Sequence, residues 1–168
     1  GVRVPSWRSW GRCVTGRARA TLWCGRPRVN VSMFAAAGRA GLGDVLVRLS
    51  RGARIRAMLV RSGKPGGFIA GADVKEFLTV APEDVREGVT RVPSLFEQRA
   101  NLPYPTVASI NGACLGGGTE LALACDYRLM SDARKAQIGL PEVRLGIFPS
   151  WGGCTRLPRV VGLAAVLD

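Results

Sequence analysis

Residues 105–125 read PTVASINGACLGGGTELALAC, and this stretch says more about the fold than any other part of the chain. The β-branched residues of Thr106–Ile110 predict a strand, the three glycines 116–118 predict a loop, and the apolar residues from Glu120 to Cys125 predict a helix. A strand, a loop and a helix in this order indicate an α/β fold.

The three glycines admit two interpretations. Their N–H groups, which precede a helix, can approach a negative or polarised oxygen closely, and the helix dipole adds to this attraction. The chain lacks the G-K-[ST] of a phosphate loop, and Leu121 stands where a dinucleotide fingerprint requires its last glycine, so the usual nucleotide sites are disfavoured. What remains is either an oxyanion site or glycines that permit close packing of helix on strand, and loop composition does not separate the two.

Glu120 opens the predicted helix, and the apolar residues after it indicate that this helix is buried. A buried carboxylate is costly to desolvate, although a first-turn glutamate also gains about 0.3 to 1 kcal/mol from the helix dipole. Glu142 follows Pro141 at another predicted helix start, and the same structural interpretation applies to it. Two such acids beside a glycine loop are also the set that proton transfer around a polarised carbonyl requires.

The patterns outside this stretch predict further strands and helices in a single domain. Upstream they predict strands at 20–23 and 56–61, a helix with Leu42, Val45, Leu46 and Leu49 on its apolar face, a loop at 63–67, and a short helix to Phe77 capped by Asp73 and Glu76. A longer helix begins at Pro82, with Val85, Val89, Val92 and Phe96 on its apolar face and a kink or break at Pro93. Downstream they predict strands at Tyr127–Met130 and 136–138, a helical turn at Pro141, a loop at 152–159 and the start of a helix at 161–168.

The formal net charge of +12 is concentrated at one end of the chain. Residues 1–56 hold twelve Arg and one acid, Asp44, whereas residues 57–168 hold twelve Lys or Arg and eleven acids. We therefore divide the chain into a basic segment of doubtful order, 1–19, and a core, 20–168, that we expect to be incomplete at its C-terminus. The basic end could be an RNA-attracting arm, a mitochondrial targeting remnant or sequence displaced by a reading-frame error.

Composition excludes several kinds of site. The chain has no histidine, which removes Ser-His and Cys-His nucleophile pairs and every metal site that contains histidine. Its five cysteines are odd in number and never spaced C-x-x-C, so we expect neither a disulfide framework nor a bound metal, and a reducing compartment. No apolar run approaches the roughly 18 residues that a membrane span needs, so we expect no membrane span.

Four sequence words together resemble the enoyl-CoA hydratase and isomerase (crotonase) family. They are FIAGAD at 68–73, the run from Pro105 to Leu121, GLPEVRLG at 139–146 and GGCTRL at 152–157. In these words the sequence is most similar to the hydratase half of bacterial-type multifunctional fatty-acid-oxidation proteins. It implies an α/β fold in which β-β-α units form a spiral with two sheets flanked by helices.

The resemblance also implies roles for residues of this chain. The backbone N–H groups of Ala72 and Gly117 would form an oxyanion hole for an acyl-CoA thioester, and Glu120 and Glu142 would act as base and acid in the syn hydration of a trans-2-enoyl-CoA. The residues expected to bind substrate are Ala70, Gly71, Gly116 and Trp151, although a core position for the Trp151 ring is an equal possibility. No cofactor is expected, because coenzyme A is part of the substrate.

The family also suggests partners and alternatives. The resemblance implies a homo-oligomer, trimer or hexamer, or a fused or partner 3-hydroxyacyl-CoA dehydrogenase, with no nucleic-acid partner. The location would be the cytoplasm if the source is bacterial, with the mitochondrial matrix as the alternative. Other functions that remain open are double-bond isomerisation by Glu142 alone, RNA binding without catalysis, and an inactive fragment.

Several residues call for separate interpretation. Ser150 stands where the family usually has a glycine whose N–H helps to place the water. Asp126 is expected to be structural, and Arg156 and Arg159 are expected to be solvated charges rather than ligands for the phosphates of CoA. If the helices that close the acyl pocket in this family are missing, apolar surface should be exposed.

Overall fold

The computed structural model describes residues 13–16, 19–24, 42–43, 46–47, 55–64, 67–72 and 82–167. The predicted short helix with its cap at Asp73 and Glu76 lies outside these residues, as do Val45 and Leu49 of the first predicted helix. Residues 42–43 and 46–47 of that helix are helical, and Leu42 and Leu46 are buried in the core. Among the described residues, no helix combines the length and the apolar character that crossing a membrane would need.

The strands belong to two sheets. They are β1 (Cys13–Gly16), β2 (Arg19–Cys24), β3 (Ala57–Ser62), β4 (Gly67–Ile69), β5 (Thr106–Ile110), β6 (Ala113–Leu115), β7 (Tyr127–Met130) and β8 (Ile138–Gly139). The larger sheet has the order β1-β2-β3-β5-β7, and the smaller has the order β4-β6-β8. Every described pair is parallel except β1 with β2.

The helices alternate with pairs of strands. They are α1 (Pro82–Ala100), α2 (Gly117–Ala124), α3 (Gly153–Val161) and α4 (Ala164–Leu167), with one 3₁₀ helix at Glu142–Leu145. The units β3-β4-α1 and β5-β6-α2, and β7-β8 with the 3₁₀ helix, each send their first strand to the large sheet and their second to the small one. The predicted spiral of β-β-α units, with two sheets flanked by helices, is therefore confirmed for this part of the chain.

The core lies where α1 and α2 cover the sheets. In β5 the side chains of Thr106, Ala108 and Ile110 are buried while those between them are half-buried, as the period of a strand requires. All eight residues of α2 are buried, which agrees with the apolar composition that predicted a buried helix.

Several sequence predictions about α1 and β3 are wrong. Pro93 does not divide α1, because Val92, Leu95 and Phe96 pack into the core on both sides of the proline and hold the helix together. The alternative of a kink at Pro93 stays a prediction. Val89 is 40% exposed rather than part of the buried face. Strand β3 was predicted to be buried throughout. Its buried side chains instead alternate with more accessible ones, and Arg61 is exposed.

The glycine region is more regular than predicted. Residues 113–115, which lie between the predicted strand and the predicted glycine loop, form β6, and α2 begins at Gly117, three residues before the predicted start. The reason is tertiary, since β6 is only three residues long and is held by its neighbours β4 and β8. The last strand is Ile138–Gly139 rather than 136–138, and most of the predicted loop at 152–159 belongs to α3.

Strand β1 lies within the segment 1–19 and pairs with β2 in an antiparallel register from Cys13 opposite Leu22 to Gly16 opposite Arg19. Strand β2 extends the predicted strand at 20–23 by one residue at each end. The division at residue 20 remains a prediction.

A polar cluster joins α1, β5 and the turn between α2 and β7. The buried Arg99 donates hydrogen bonds to Thr106 Oγ1 and, at 3.3 Å, to Asp126 Oδ2. Thr106 donates to the same carboxylate from its backbone N–H and its hydroxyl, each at 2.7 Å. Partial burial alone would raise the pKa of Asp126, but the hydrogen bonds from Thr106 and the charge of Arg99 outweigh it and lower that pKa. Asp126 therefore has the structural role that was expected, since it binds Arg99 and Thr106.

Candidate active site

The candidate site lies at the carboxyl ends of the three strands of the small sheet. Ile69 of β4 is opposite Cys114 of β6, and Leu115 of β6 is opposite Gly139 of β8. Residues 70–72, 116–117 and 140–142 follow these strand ends directly, so the parallel register brings them together. In parallel sheets, ligands characteristically bind at this edge.

The first turn of α2 presents backbone N–H groups to this edge. Helix-start N–H groups have no partner within the helix, and among the described residues neither Gly117 nor Ala72 donates its N–H to a backbone acceptor. The glycines also permit close packing: a Cβ on Gly117 would lie 2.2 Å from Trp151 Cζ3, and one on Gly118 would lie 2.2 Å from the Ile69 carbonyl oxygen. Close packing, one of the two interpretations left open by composition, is therefore present. The N–H groups remain available for the other interpretation, an oxyanion site.

Glu120 is only 2% exposed and is held by a turn from another part of the chain. Its Oε1 accepts hydrogen bonds from the N–H of Trp151 at 2.7 Å and from the N–H of Gly153 at 2.8 Å. Burial raises the pKa of Glu120 above its ordinary value, and the charge of Glu142 adds to this; the two N–H groups and the charge of Arg156 act in the opposite direction.

Glu142 begins the 3₁₀ helix and is 8% exposed. Its Oε2 is buried and has no hydrogen-bond partner among the described residues. Burial raises the pKa of Glu142, and only its own backbone N–H acts against this. A buried carboxyl without a partner favours its protonated form, which suits a proton donor.

All eight residues predicted from the sequence line one cavity of about 90 Å³. Its walls are formed by Ala70, Gly71, Ala72, Gly116, Gly117, Glu120, Pro141, Glu142, Leu145, Ile147, Phe148, Ser150 and Trp151. The two glutamates therefore border the same space as the two residues that carry the candidate N–H donors. One side of that space is apolar, which suits an acyl chain.

Trp151 lies in both of the places considered for it, the core and the cavity wall. Its ring packs edge-to-face on Phe96, with 6.3 Å between centroids, and it also lines the cavity. Its backbone N–H binds Glu120, so one residue connects the core to the site.

Sequence reasoning missed several contributors to the site. The N–H of Gly153 carried no signal, because a backbone donor is recognised only through its acceptor, which lies 33 residues away in the sequence. The expectation that Arg156 is a solvated charge is wrong, because its Nη1 donates to the Trp151 carbonyl at 3.0 Å and its side chain is only half-exposed. Leu145, Ile147 and Phe148 were also missed, because in a segment as apolar as 139–151 an apolar side chain does not by itself distinguish a cavity wall from the core.

Comparisons with known proteins agree with this geometry. The chain is 44% identical over 144 residues to the fatty acid oxidation complex subunit alpha of Vibrio parahaemolyticus. The aligned region covers 84% of this chain and 20% of that protein. It is 48% identical over 117 residues to the same subunit from Aliivibrio fischeri, covering 69% of this chain and 17% of that protein. The crystal structure of an enoyl-CoA hydratase from Bacillus anthracis superimposes with a TM-score of 0.84 and 34% identity, covering 92% of this chain and 59% of that one.

The chain thus spans about a fifth of the length of these curated relatives and about three fifths of that solved structure. The sequence model of the enoyl-CoA hydratase/isomerase family matches residues 24–167, a range that contains the sequence words, the β-β-α units and the cavity. The chain belongs to the enoyl-CoA hydratase/isomerase family.

Proposed function

We propose that this chain carries the catalytic core of an enoyl-CoA hydratase, which adds water in the syn sense to a trans-2-enoyl-CoA thioester in fatty acid β-oxidation. The observation that carries the proposal is that Glu120, Glu142 and the backbone of Ala72 and Gly117 all line one cavity. The names of the relatives, enoyl-CoA hydratase and fatty acid oxidation complex, support the reaction and the pathway.

In the proposed reaction the thioester oxygen accepts hydrogen bonds from the N–H groups of Ala72 and Gly117. These donors stabilise the negative charge that grows on the oxygen when the β-carbon is attacked, and losing one such donor typically costs about 2.7 to 4 kcal/mol. Because Gly117 begins a helix, the dipole of α2 contributes to the same effect.

The two carboxyl groups move the protons. Oε1 of Glu120 is occupied by two N–H groups, which leaves Oε2 to orient a water and take its proton as the hydroxide adds to the β-carbon. Glu142, whose pKa is raised by burial, delivers a proton to the α-carbon. Each turnover leaves one proton more on Glu120 and one fewer on Glu142, so a proton must return to Glu142 before the next substrate reacts.

Hydration is favoured over isomerisation because two carboxyl groups share the cavity. A double-bond shift needs one group that removes a proton and returns it, and Glu142 alone could do this. A carboxylate held by two N–H groups, as Glu120 is, has no task in that reaction.

The substrate and partners follow from the same proposal. The partner is an acyl-CoA, no further cofactor takes part, and the relatives' name supports a place in a multisubunit complex. We extend this to a 3-hydroxyacyl-CoA dehydrogenase unit, fused or as a partner, and to a homo-oligomeric hydratase. The bacterial source of the relatives favours a cytoplasmic location over the mitochondrial matrix.

The test compares the chain with its Glu120→Gln and Glu142→Gln variants. Hydration of crotonyl-CoA, followed by the loss of ultraviolet absorbance of the conjugated thioester, should fall on the order of 100-fold or more in each, because each removes a proton-transfer group. Binding of an acyl-CoA should survive, and Glu97→Gln, on an exposed position of α1, should leave hydration unchanged. Near-normal turnover by either site variant would contradict the roles, and conversion of a 3-enoyl-CoA without hydration would identify an isomerase.

A further inference from the structure

Arg156 occupies an unusual position for a cation. It lies in the first turns of α3, where the positive end of the helix dipole disfavours positive charge. Its side chain folds back over the helix start, and Nη1 donates to the Trp151 carbonyl at 3.0 Å. A cation at this place therefore needs a compensating interaction, and the carboxylate of Glu120 is close enough for the two charges to interact.

Gly152 makes room for this guanidinium. Its φ is +106°, a conformation that favours glycine, and a Cβ on it would lie 2.0 Å from Arg156 Nη1. The guanidinium thus occupies the space that any other residue at 152 would fill with its side chain. A side chain at 152 would therefore displace the guanidinium from this place.

Arg156 binds both carbonyl groups of the turn that holds Glu120. Its backbone N–H binds the Gly152 carbonyl at 2.9 Å, which shares its peptide plane with the N–H of Gly153. Its side chain binds the Trp151 carbonyl, which belongs to the central peptide of the turn, and fixing this peptide restricts how the peptides on either side of it are oriented. The Trp151 and Gly153 N–H groups on either side of Gly152 are the two donors to Glu120 Oε1.

We propose that Arg156 is a positioning residue for Glu120, which holds the 151–153 turn in the one arrangement that directs both N–H groups at the carboxylate and places a cation behind them. The inference rests on the proposed function for its kinetic consequence, since Glu120 is the base only if the chain is a hydratase. The structural part does not depend on that function.

The charges around Glu120 give the expected direction of the effect. Glu142, on the 3₁₀ helix, raises the pKa of Glu120, and Arg156, on α3, lowers it. Arg99 of α1 is also close enough to Arg156 for the two charges to interact. Removing the Arg156 charge should therefore raise the pKa of Glu120.

The experiment uses Arg156→Met and Arg156→Lys, with Arg159→Met and Arg159→Lys as matched controls on an exposed position of the same helix. In Arg156→Met, kcat for crotonyl-CoA should fall between about 10-fold and about 100-fold with little change in KM, since the base is misplaced while the substrate contacts remain. The rising limb of the pH profile should move to higher pH by about one unit. Arg156→Lys keeps the charge but not the planar guanidinium. Its kcat and its pH profile should lie between those of Arg156→Met and those of the unmodified chain.

A second readout does not depend on activity. The carboxyl carbon of Glu120, assigned by its loss in Glu120→Gln, can be titrated by NMR in each variant. Its midpoint should rise in the order unmodified chain, Arg156→Lys, Arg156→Met, and should not move in the Arg159 variants. If Arg156→Met does not fold, a raised midpoint in Arg156→Lys still supports the inference.

The outcomes separate the two proposals. A midpoint for Glu120 that is the same in the Arg156 variants as in the unmodified chain overturns the positioning role. If the unmodified chain hydrates no enoyl-CoA but the midpoint moves as expected, the proposed function fails and the positioning role stands.

Discussion

Glu142 illustrates how a single residue can be placed for chemistry at the expense of stability. Its Oε2 is buried without a partner among the described residues, and burial raises its pKa above the ordinary 4.5. A carboxyl whose pKa is higher in the folded than in the unfolded state contributes stability that is fully present below the unfolded pKa. That contribution is lost as the pH rises through the folded pKa.

Glu142→Gln should therefore stabilise the fold at neutral pH while it abolishes hydration. We expect the Tm of the variant to exceed that of the unmodified chain by about 2–4 °C at pH 7, for a gain of about 1 kcal/mol, with the difference disappearing near pH 4. Thermal melts at the two pH values measure this, and Glu97→Gln on the exposed face of α1 is the control. A Tm for Glu142→Gln below that of the unmodified chain at pH 7 would show that the carboxylate has a partner after all.

At the scale of elements, the close approach of α2 to β4 depends on Gly118. A Cβ there would lie 2.2 Å from the Ile69 carbonyl oxygen, so the helix and the strand would have to separate. Gly118→Ala should lower the free energy of unfolding by about 1–3 kcal/mol, as overpacking does, measured by urea denaturation. Gly139→Ala is the matched control, because its Cβ would meet only Leu115 Cδ2 at an ordinary 3.9 Å; equal losses in both variants would mean that the close approach is not the cause.

The contact of α1 with β5 and β7 depends on the polar cluster around Asp126. Because the folded state lowers the pKa of Asp126, this carboxylate contributes stability above its unfolded pKa of about 3.8, and the contribution is lost as the pH falls through the folded value. Asp126→Asn should lower the Tm at pH 7 because it leaves the buried Arg99 without its anion, and the deficit should shrink near pH 3. Asp132→Asn, at an exposed loop position, should change the Tm at neither pH, and a pH-independent deficit in Asp126→Asn would exclude the charge as its origin.

At the scale of the whole molecule, the described surface carries several large apolar side chains. Leu129 of β7 is 64% exposed, and Leu145 and Phe148 at the rim of the cavity are 58% and 68% exposed. Neighbouring apolar side chains of this kind form the surface to which hydrophobic dyes bind. The structure thus shows the exposed apolar surface that was expected.

The chain should therefore bind 8-anilinonaphthalene-1-sulfonate in its folded state. Phe148→Ser and Leu129→Ser should each lower the dye fluorescence without lowering the Tm, because these side chains contribute little to the core. Arg134→Ser, at another exposed position, is the control for general surface effects. Unchanged fluorescence in both apolar variants would show that the dye binds elsewhere.

Much of the architecture could be predicted because its signals are local. The β-branched run of β5, the apolar run of α2 and the proline at the start of α1 each specify an element through the residues of that element alone. Strand β6 could not be predicted this way, since three residues carry no period and its pairing with β4 and β8 is made by residues far away in the sequence. The division of α1 predicted at Pro93 is wrong for the same reason, because the packing that holds α1 together comes from residues outside the helix.

The sequence by itself determined the chemical content of the site: two glutamates at helix starts, a glycine-rich turn, and words that place the chain in its family. Only the tertiary structure decided how these groups act. The parallel register of the small sheet aligned three strand ends at one cavity, and a turn 31 to 33 residues downstream supplied the N–H groups that hold Glu120. The physical reason is that the residue type decides which proton a side chain can carry, whereas burial, hydrogen bonds and neighbouring charges decide its pKa and direction, and these depend on chain segments that meet only in the folded state.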